Sequence, residues 1–227
     1  MTARYYPEIF SGVVDEDDAK RVILTSEGPD ADTATRWAVE TPYVLELANN
    51  ALSLRPGMVV LDYGCGIGRV AKAMIEACDC SVIGLDISAK MLTLARDYVR
   101  SDRFIPVLPS QFDILLEAGL RVDAAIAIWV LQHCLAPAED IGRLRRSLAD
   151  GGALFVLNMP KRAIPAVLEN AANGDRFDWV SDELDVAALL RQAFRAMADG
   201  QPDRSRTPNM ADAGAFWMNL RQVSSER

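Results

Sequence analysis

The stretch Asp62-Tyr63-Gly64-Cys65-Gly66-Ile67-Gly68-Arg69 follows the apolar run Met58 to Leu61. Glycines in such a loop let the backbone approach a ligand with no Cβ in the way. A helix that starts near Arg69 points its N-terminus at the same place. Asp86 closes a second apolar run, Ser81 to Leu85. A carboxylate there can accept two hydrogen bonds from a ribose diol. Plainer readings stand beside these: a tight strand-to-helix turn for the glycines, and a helix-capping turn aspartate for Asp86. The dinucleotide fingerprint GxGxxG would put its third glycine at position 69, where Arg69 stands; the pattern here is GxGxG.

A second group of residues lies near the end of a later apolar run, Val122 to Trp129. His133 is the only histidine. As a neutral imidazole it could act as a general base toward a hydroxyl, or it could cap a turn or line a pocket. Trp129 could wall a site or serve as a core aromatic. Phe112 could stack on a flat ring or belong to the core.

The elements that must hold these residues alternate between strand and helix. Strands are expected at Met58–Tyr63, Ser81–Leu85, Phe104–Leu108, Val122–Trp129 and Ala153–Leu157. Helices are expected over Arg69–Ala77, from Ser88, over Phe112–Leu120 and from Pro137, the last closed by Asp150-Gly151-Gly152. Continuous apolar strands between helices imply a parallel sheet covered on both faces, in a doubly wound α/β fold. Before it, the acidic start of "DEDDAKRVIL" suits a short helix ended at Gly28-Pro29. Thr41-Pro42 reads as a cap and first turn of another. After it, 182–197 reads as a helix, 200–209 as a polar loop and "AFWMNLRQV" as a last strand.

The chain has 227 residues, half of them hydrophobic, which suits one large domain. Its formal charge of −8 argues against a nucleic-acid partner held through phosphates. Four cysteines without CxxC spacing and a single histidine form no familiar zinc pattern. Reduced cysteines, and the absence of an apolar leader or of an apolar run of membrane-spanning length, lead us to expect a cytoplasmic protein with no membrane partner.

From about Val44 to Met159 the chain resembles the class I S-adenosylmethionine-dependent methyltransferases. "VVLDYGCGIGRVA" looks like the family's first motif, and "VIGLDIS" with Met91 like the second. "VDAAIAIWVLQH" resembles the fourth-strand motif, and "LRRSLADGGALFVLN" the run into the fifth strand. The resemblance implies a Rossmann-like sheet of seven strands, mostly parallel, the last antiparallel and supplied by "AFWMNLRQV". It implies that Gly64 and Gly66 contact the methionine part of S-adenosylmethionine and that Asp62 supports its ammonium. Asp86 would hold the ribose, and Ile87 and Met91 would pack on adenine. Ser110 or Gln111 stands where many members have an aspartate facing the adenine amino group, and Phe112 could stack on the ring. The implied cofactor-binding set is Asp62, Gly64, Cys65, Gly66, Gly68, Asp86, Ile87, Met91, Ser110, Gln111, Phe112 and Trp129. His133 is the catalytic candidate, with no metal.

Departures from family signatures narrow the implied chemistry. Trp129-Val130-Leu131-Gln132 replaces the Asn-Pro-Pro-Tyr type of sequence, and no acid ends the fourth strand. These features point to methyl transfer onto the O, N or C atom of a small molecule, mostly by positioning and desolvation. A non-catalytic methyltransferase-like partner subunit and a nicotinamide-dependent dehydrogenase are the alternatives. We expect a helical lid over 1–50 and the methyltransferase domain over 51–227. Tyr5, Tyr6, Arg36, Trp37 and Tyr43, with Lys161 and Arg162 of the 161–181 insertion, are candidates to meet substrate.

Overall fold

The computed structural model describes residues 2–28, 30–169 and 176–222. In chain order its elements are β1 (Thr2–Tyr5), α1 (Glu8–Ser11), α2 (Glu16–Ile23), α3 (Thr33–Leu52), β2 (Val59–Tyr63), α4 (Arg69–Cys78) and β3 (Ser81–Leu85). Then come α5 (Ala89–Val99), β4 (Phe104–Val107), α6 (Pro109–Glu117), β5 (Val122–Ile128), a single 3-10 turn at Leu131–His133, α7 (Pro137–Ser147) and β6 (Leu148–Asn158). The chain ends with β7 (Ile164–Glu169), β8 (Arg176–Val180), α8 (Val186–Ala193), β9 (Arg195–Gly200), α9 (Pro208–Asp212) and β10 (Phe216–Arg221).

The large sheet has seven strands in the order β4-β3-β2-β5-β6-β10-β9. Strands β4, β3, β2, β5 and β6 are mutually parallel, and β10 runs antiparallel to both β6 and β9. Side chains alternate along the strands, so the central strands β2, β5 and β6 each feed two cores. Val60, Ile126 and Phe155 enter the layer shared with α3, α4 and α5. Leu61, Ala125 and Leu154 enter the layer shared with α6, α7 and α8. Fully burying a side chain such as Phe155 contributes about 1.5–3 kcal/mol. The strand order reverses between β2's two neighbours, β3 and β5, which opens a crevice beyond the carboxyl ends of these strands.

Four local expectations are corrected. Thr41-Pro42 does not start a helix: α3 begins at Thr33, capped by Asp32, whose side chain accepts the Thr35 N–H, and Pro42 lies inside it. A buried Arg36–Glu40 ion pair of 2.6 Å fixes the two turns before the proline. The helix expected over 182–197 is only α8; Arg195 to Gly200 leave it as an edge strand on β10. The supposed polar loop 200–209 contains the start of α9. Strand β6 starts at Leu148, so Asp150-Gly151-Gly152 lies in a strand whose pairing with β5 shifts register there.

The N-terminal segment expected as a helical lid is helical only in part. Strand β1 pairs antiparallel with β7, and β7 with β8, making a separate three-stranded sheet from the N-terminus and the 161–181 insertion. The division placed at residue 50 falls inside α3, which packs on α4 and β6. Pro29, 170–175 of the insertion and Val223 of the last expected strand lie outside the described residues.

Candidate active site

The glycine loop is fastened to β3 by its backbone. The N–H groups of Gly64 and Cys65 both donate to the Leu85 carbonyl, at 2.7 and 2.9 Å. Gly64 has φ 76°, and a Cβ there would run into the Val130 side chain. Gly66 has φ 54°, and its Cβ would lie 2.7 Å from Ile23 Cδ1, so α2 rests directly on the loop. Gly68 caps α4 against Val99, away from the cavity described below.

Asp86 ties the next strand end to the same loop. Its Oδ2 accepts the Gly66 N–H at 2.9 Å, and its Oδ1 accepts the Ser88 N–H at 2.8 Å. Ser88 in turn caps α5 through the Met91 N–H. Burial raises the Asp86 pKa, against the pull of these backbone N–H groups. Asp62, at the end of β2, is 3% exposed, and its Oδ2 has no hydrogen-bond partner. Burial pushes its pKa up to about 7; Asp86 adds to the rise and Arg69 opposes it. Arg69 is itself buried, donates to Thr41 Oγ1 at 3.2 Å and lies over the Trp37 ring. Burial brings its pKa down to about 10.

A cavity of about 870 Å³ opens over these groups. Asp62, Gly64, Cys65, Gly66, Asp86, Ile87, Met91, Trp129 and His133 all line it. Gly68, Ser110, Gln111 and Phe112 do not. Gln111 uses its side-chain oxygen to accept the Leu108 N–H and cap its own helix, Ser110 is exposed, and Phe112 is fully buried in the core under the sheet. Pro109 takes that edge of the cavity instead. Of the lid candidates, Tyr5 and Arg36 line the cavity, while Tyr6, Trp37, Tyr43, Lys161 and Arg162 do not. Arg162 is spent on Asp182 at 2.9 Å and on the carbonyls of Cys134 and Leu135.

Two residues that sequence reasoning missed, Phe10 and Trp179, close the other end together with His133. Phe10, Trp179 and His133 form a triangle of rings, with centroids 5.1–6.2 Å apart. They come from α1, β8 and the turn after β5, so this wall joins the two halves of the small sheet to the large one. His133 Nδ1 lies 2.6 Å from the Ala163 carbonyl, and its Nε2 lies 3.2 Å from Gln132 Nε2. Gln132 Oε1 already accepts the Met159 N–H at 2.8 Å, which leaves the amide nitrogen to donate to the ring. His133 is therefore the neutral tautomer with its proton on Nδ1, and burial holds its pKa down. Tyr63, Asp140 and Arg143 form a bonded polar cluster on the same wall, with Tyr63 donating to Asp140 and Arg143 reaching both. The "EIF" and "RFDWV" segments hold aromatics in short elements, and the spacing alone offers no sign that they meet.

The model of the methyltransferase domain family matches residues 61–156, the span from β2 to β6 that builds the glycine loop and both carboxylates. Over this span the chain is similar to methyltransferase domains. Over 123 residues it is 32% identical to N-demethylindolmycin N-methyltransferase of Streptomyces griseus, covering 51% of the chain and 50% of the relative. Over 103 residues it is 35% identical to cyclopropane mycolic acid synthase 2 of Mycobacterium leprae, covering 43% and 32%. The chain thus spans half or less of these curated relatives. The fold extends further than the sequence match: the crystal structure of the [4+2]-cyclase SpnF superposes with a TM-score of 0.60 at 20% identity, over 81% of each chain. Among the described residues there is no cluster of three metal-ligating side chains, and no helix is long and apolar enough to cross a membrane.

Proposed function

We propose that the chain binds S-adenosylmethionine over the Gly64–Gly68 loop and transfers its methyl group to a small-molecule acceptor under the β1–β7–β8 lid. The observation that carries this reading is the free, buried Oδ2 of Asp62 beside the loop, in a cavity that runs from Asp86 to the aromatic wall. A buried carboxylate oxygen with no partner costs free energy unless a donor arrives. An ammonium group supplies that donor and returns Asp62 to its charged form.

The remaining residues fit the rest of the cofactor. Each Asp86 oxygen accepts one backbone N–H and keeps a further lone pair for a diol. Gly64 and Gly66 leave room along the backbone. Met91, 2% exposed, and Ile87 offer an apolar seat for a purine. The cofactor supplies a sulfonium-activated methyl group, so the chain's own task is in-line positioning and exclusion of water. The cavity volume lies in the range of small-molecule sites, and the lid closes it. In this reading His133 is a positioning residue: its bonds to Ala163 and Gln132 hold the lid sheet and the strand-end turn together.

Calorimetry and thermal unfolding with S-adenosylhomocysteine test the reading. At about 100 times its dissociation constant the ligand should stabilise the protein by about 2.7 kcal/mol. A folded protein that shows neither heat nor stabilisation at millimolar ligand overturns it.

A further inference from the structure

Trp129 follows directly on β5, in the wall of the cavity. It has φ 58°, a left-handed backbone that a bulky residue rarely adopts. Its backbone N–H is held by the Leu157 carbonyl at 2.8 Å, and its side chain packs against the cluster between β5 and α3. Its indole N–H is buried and has no acceptor among the described residues. A strained backbone that carries an unpaired donor persists where the surroundings hold it for a purpose, and such positions concentrate at ligand sites.

The chemistry of the neighbouring groups says what that donor serves. His133 is the one imidazole in the cavity, and both of its ring nitrogens are engaged. The Tyr63 hydroxyl is engaged by Asp140 and Arg143. The acceptor atom must then bring its own free electron pair. An amine would do so but would turn N–H groups toward an N–H. An oxyanion brings the electron pair and also satisfies the indole.

We propose that Trp129 is a specificity-determining residue whose indole N–H holds an oxygen of the methyl acceptor, and that this acceptor is an oxyanion, a carboxylate or a phenolate. The inference rests on the methyl-transfer reading above. In the step itself, a lone pair on the acceptor oxygen forms the O–CH3 bond as the C–S bond breaks. The electron pair of that bond stays on sulfur, the sulfonium and oxyanion charges cancel, and no proton is released. The neutral ester or ether that results is a poorer acceptor for the indole, which favours its release.

The test is indole N–H NMR of the 15N-labelled protein saturated with S-adenosylhomocysteine, with the Trp129 peak assigned by its loss in Trp129→Phe. Benzoate and phenol (titrated at alkaline pH to its phenolate) are the oxyanion probes, and benzylamine is the control. The Trp129 peak should move on adding benzoate or phenolate and stay in place with benzylamine. A response to only one of the two probes assigns the acceptor to that source. Trp129→Phe should weaken binding of the responding probe by about tenfold or more, as expected for a hydrogen bond to a charged group, and by a larger factor than it changes S-adenosylhomocysteine affinity. A peak unmoved by both oxyanions at tens of millimolar overturns the proposal. So does a peak that moves fully with S-adenosylhomocysteine alone, which would give the donor to the cofactor. Failure of S-adenosylhomocysteine to bind is a different outcome and falls on the cofactor reading first.

Discussion

Asp86 Oδ2 accepts the backbone N–H of Gly66 at 2.9 Å, across the ends of two adjacent strands. The carboxylate thus shapes the loop as well as facing the cavity. Replacing it by alanine removes this bond and the one to Ser88. We expect Asp86→Ala to lose at least tenfold in S-adenosylhomocysteine affinity by calorimetry, and also to lose roughly 1–3 kcal/mol of stability in urea unfolding. Unchanged affinity would leave Asp86 as a helix-capping turn residue. An affinity loss without any stability loss would show that the bond to Gly66 contributes nothing to the loop.

Asp62 should make cofactor binding pH-dependent. Its pKa is about 7 in the folded chain, against 3.8 for an ordinary aspartate. A raised carboxyl pKa adds stability at low pH, which is lost as pH climbs from about 4 through about 7. The ligand-free protein should therefore unfold more easily across that window, and Asp62→Asn should flatten the trend. An ammonium placed on Oδ2 favours the charged carboxylate. S-adenosylhomocysteine should then bind more tightly as pH rises toward 7 and should release a proton when it binds at pH 6. Titration heats in phosphate and Tris buffers measure that proton; equal heats, after correction for dilution, would be evidence against the assignment.

Gly64 sits where a side chain has nowhere to go. At φ 76° its Cβ would meet Val130, the residue after Trp129. Gly64→Ala should cost roughly 1–3 kcal/mol of stability and abolish measurable S-adenosylhomocysteine binding at micromolar ligand. The double variant Gly64→Ala/Val130→Ala removes the contact with the Val130 methyls but keeps the 2.7 Å approach to its Cβ and the backbone strain. It should recover part of the stability. No recovery would assign the loss to backbone strain together with the remaining Cβ contact.

The parts of the molecule that were legible in the sequence are those whose signals are local. Asp62, Gly64 and Asp86 lie within one residue of their strand ends, and Gly66 and Gly68 follow within five, so apolar runs and turn residues place them without tertiary knowledge. The lid was not legible because Thr2–Tyr5 pairs with Ile164–Glu169, and no local pattern encodes a partner so far along the chain. Pro42 misled for the opposite reason. Its local signal is strong, but the buried Arg36–Glu40 pair and packing on α4 keep α3 continuous through it. Strand β9 is an exposed edge with five of its six residues open to solvent, so it lacks the alternation that marks a strand. Ser110 and Gln111 stand where the resemblance implies an adenine contact, and a resemblance of sequence cannot see that Gln111 caps its own helix.

His133 separates chemistry from architecture. Its Nδ1 proton goes to Ala163, its Nε2 receives the Gln132 amide, and its ring touches Phe10 and Trp179. Nitrogen NMR of the imidazole should show a proton on Nδ1 and none on Nε2 at neutral pH. Burial lowers its pKa, so the stability it contributes is present above its ordinary value near 6.5 and is lost as pH falls through the lowered one. Protonation would set an Nε2–H against the Gln132 amide and force that amide to turn away from Met159. Acid should therefore loosen the lid, seen as faster hydrogen exchange in 164–168 and 176–180, and His133→Asn should lessen that acid sensitivity. Asparagine can still donate to Ala163, so this variant should keep turnover within about tenfold on whichever acceptor is used, with any loss mainly in KM. A general base would instead lose roughly 10²–10⁴ in kcat in both His133→Asn and His133→Ala. A loss of that size, with the lid's exchange rates unchanged, would return His133 to the chemistry of the reaction.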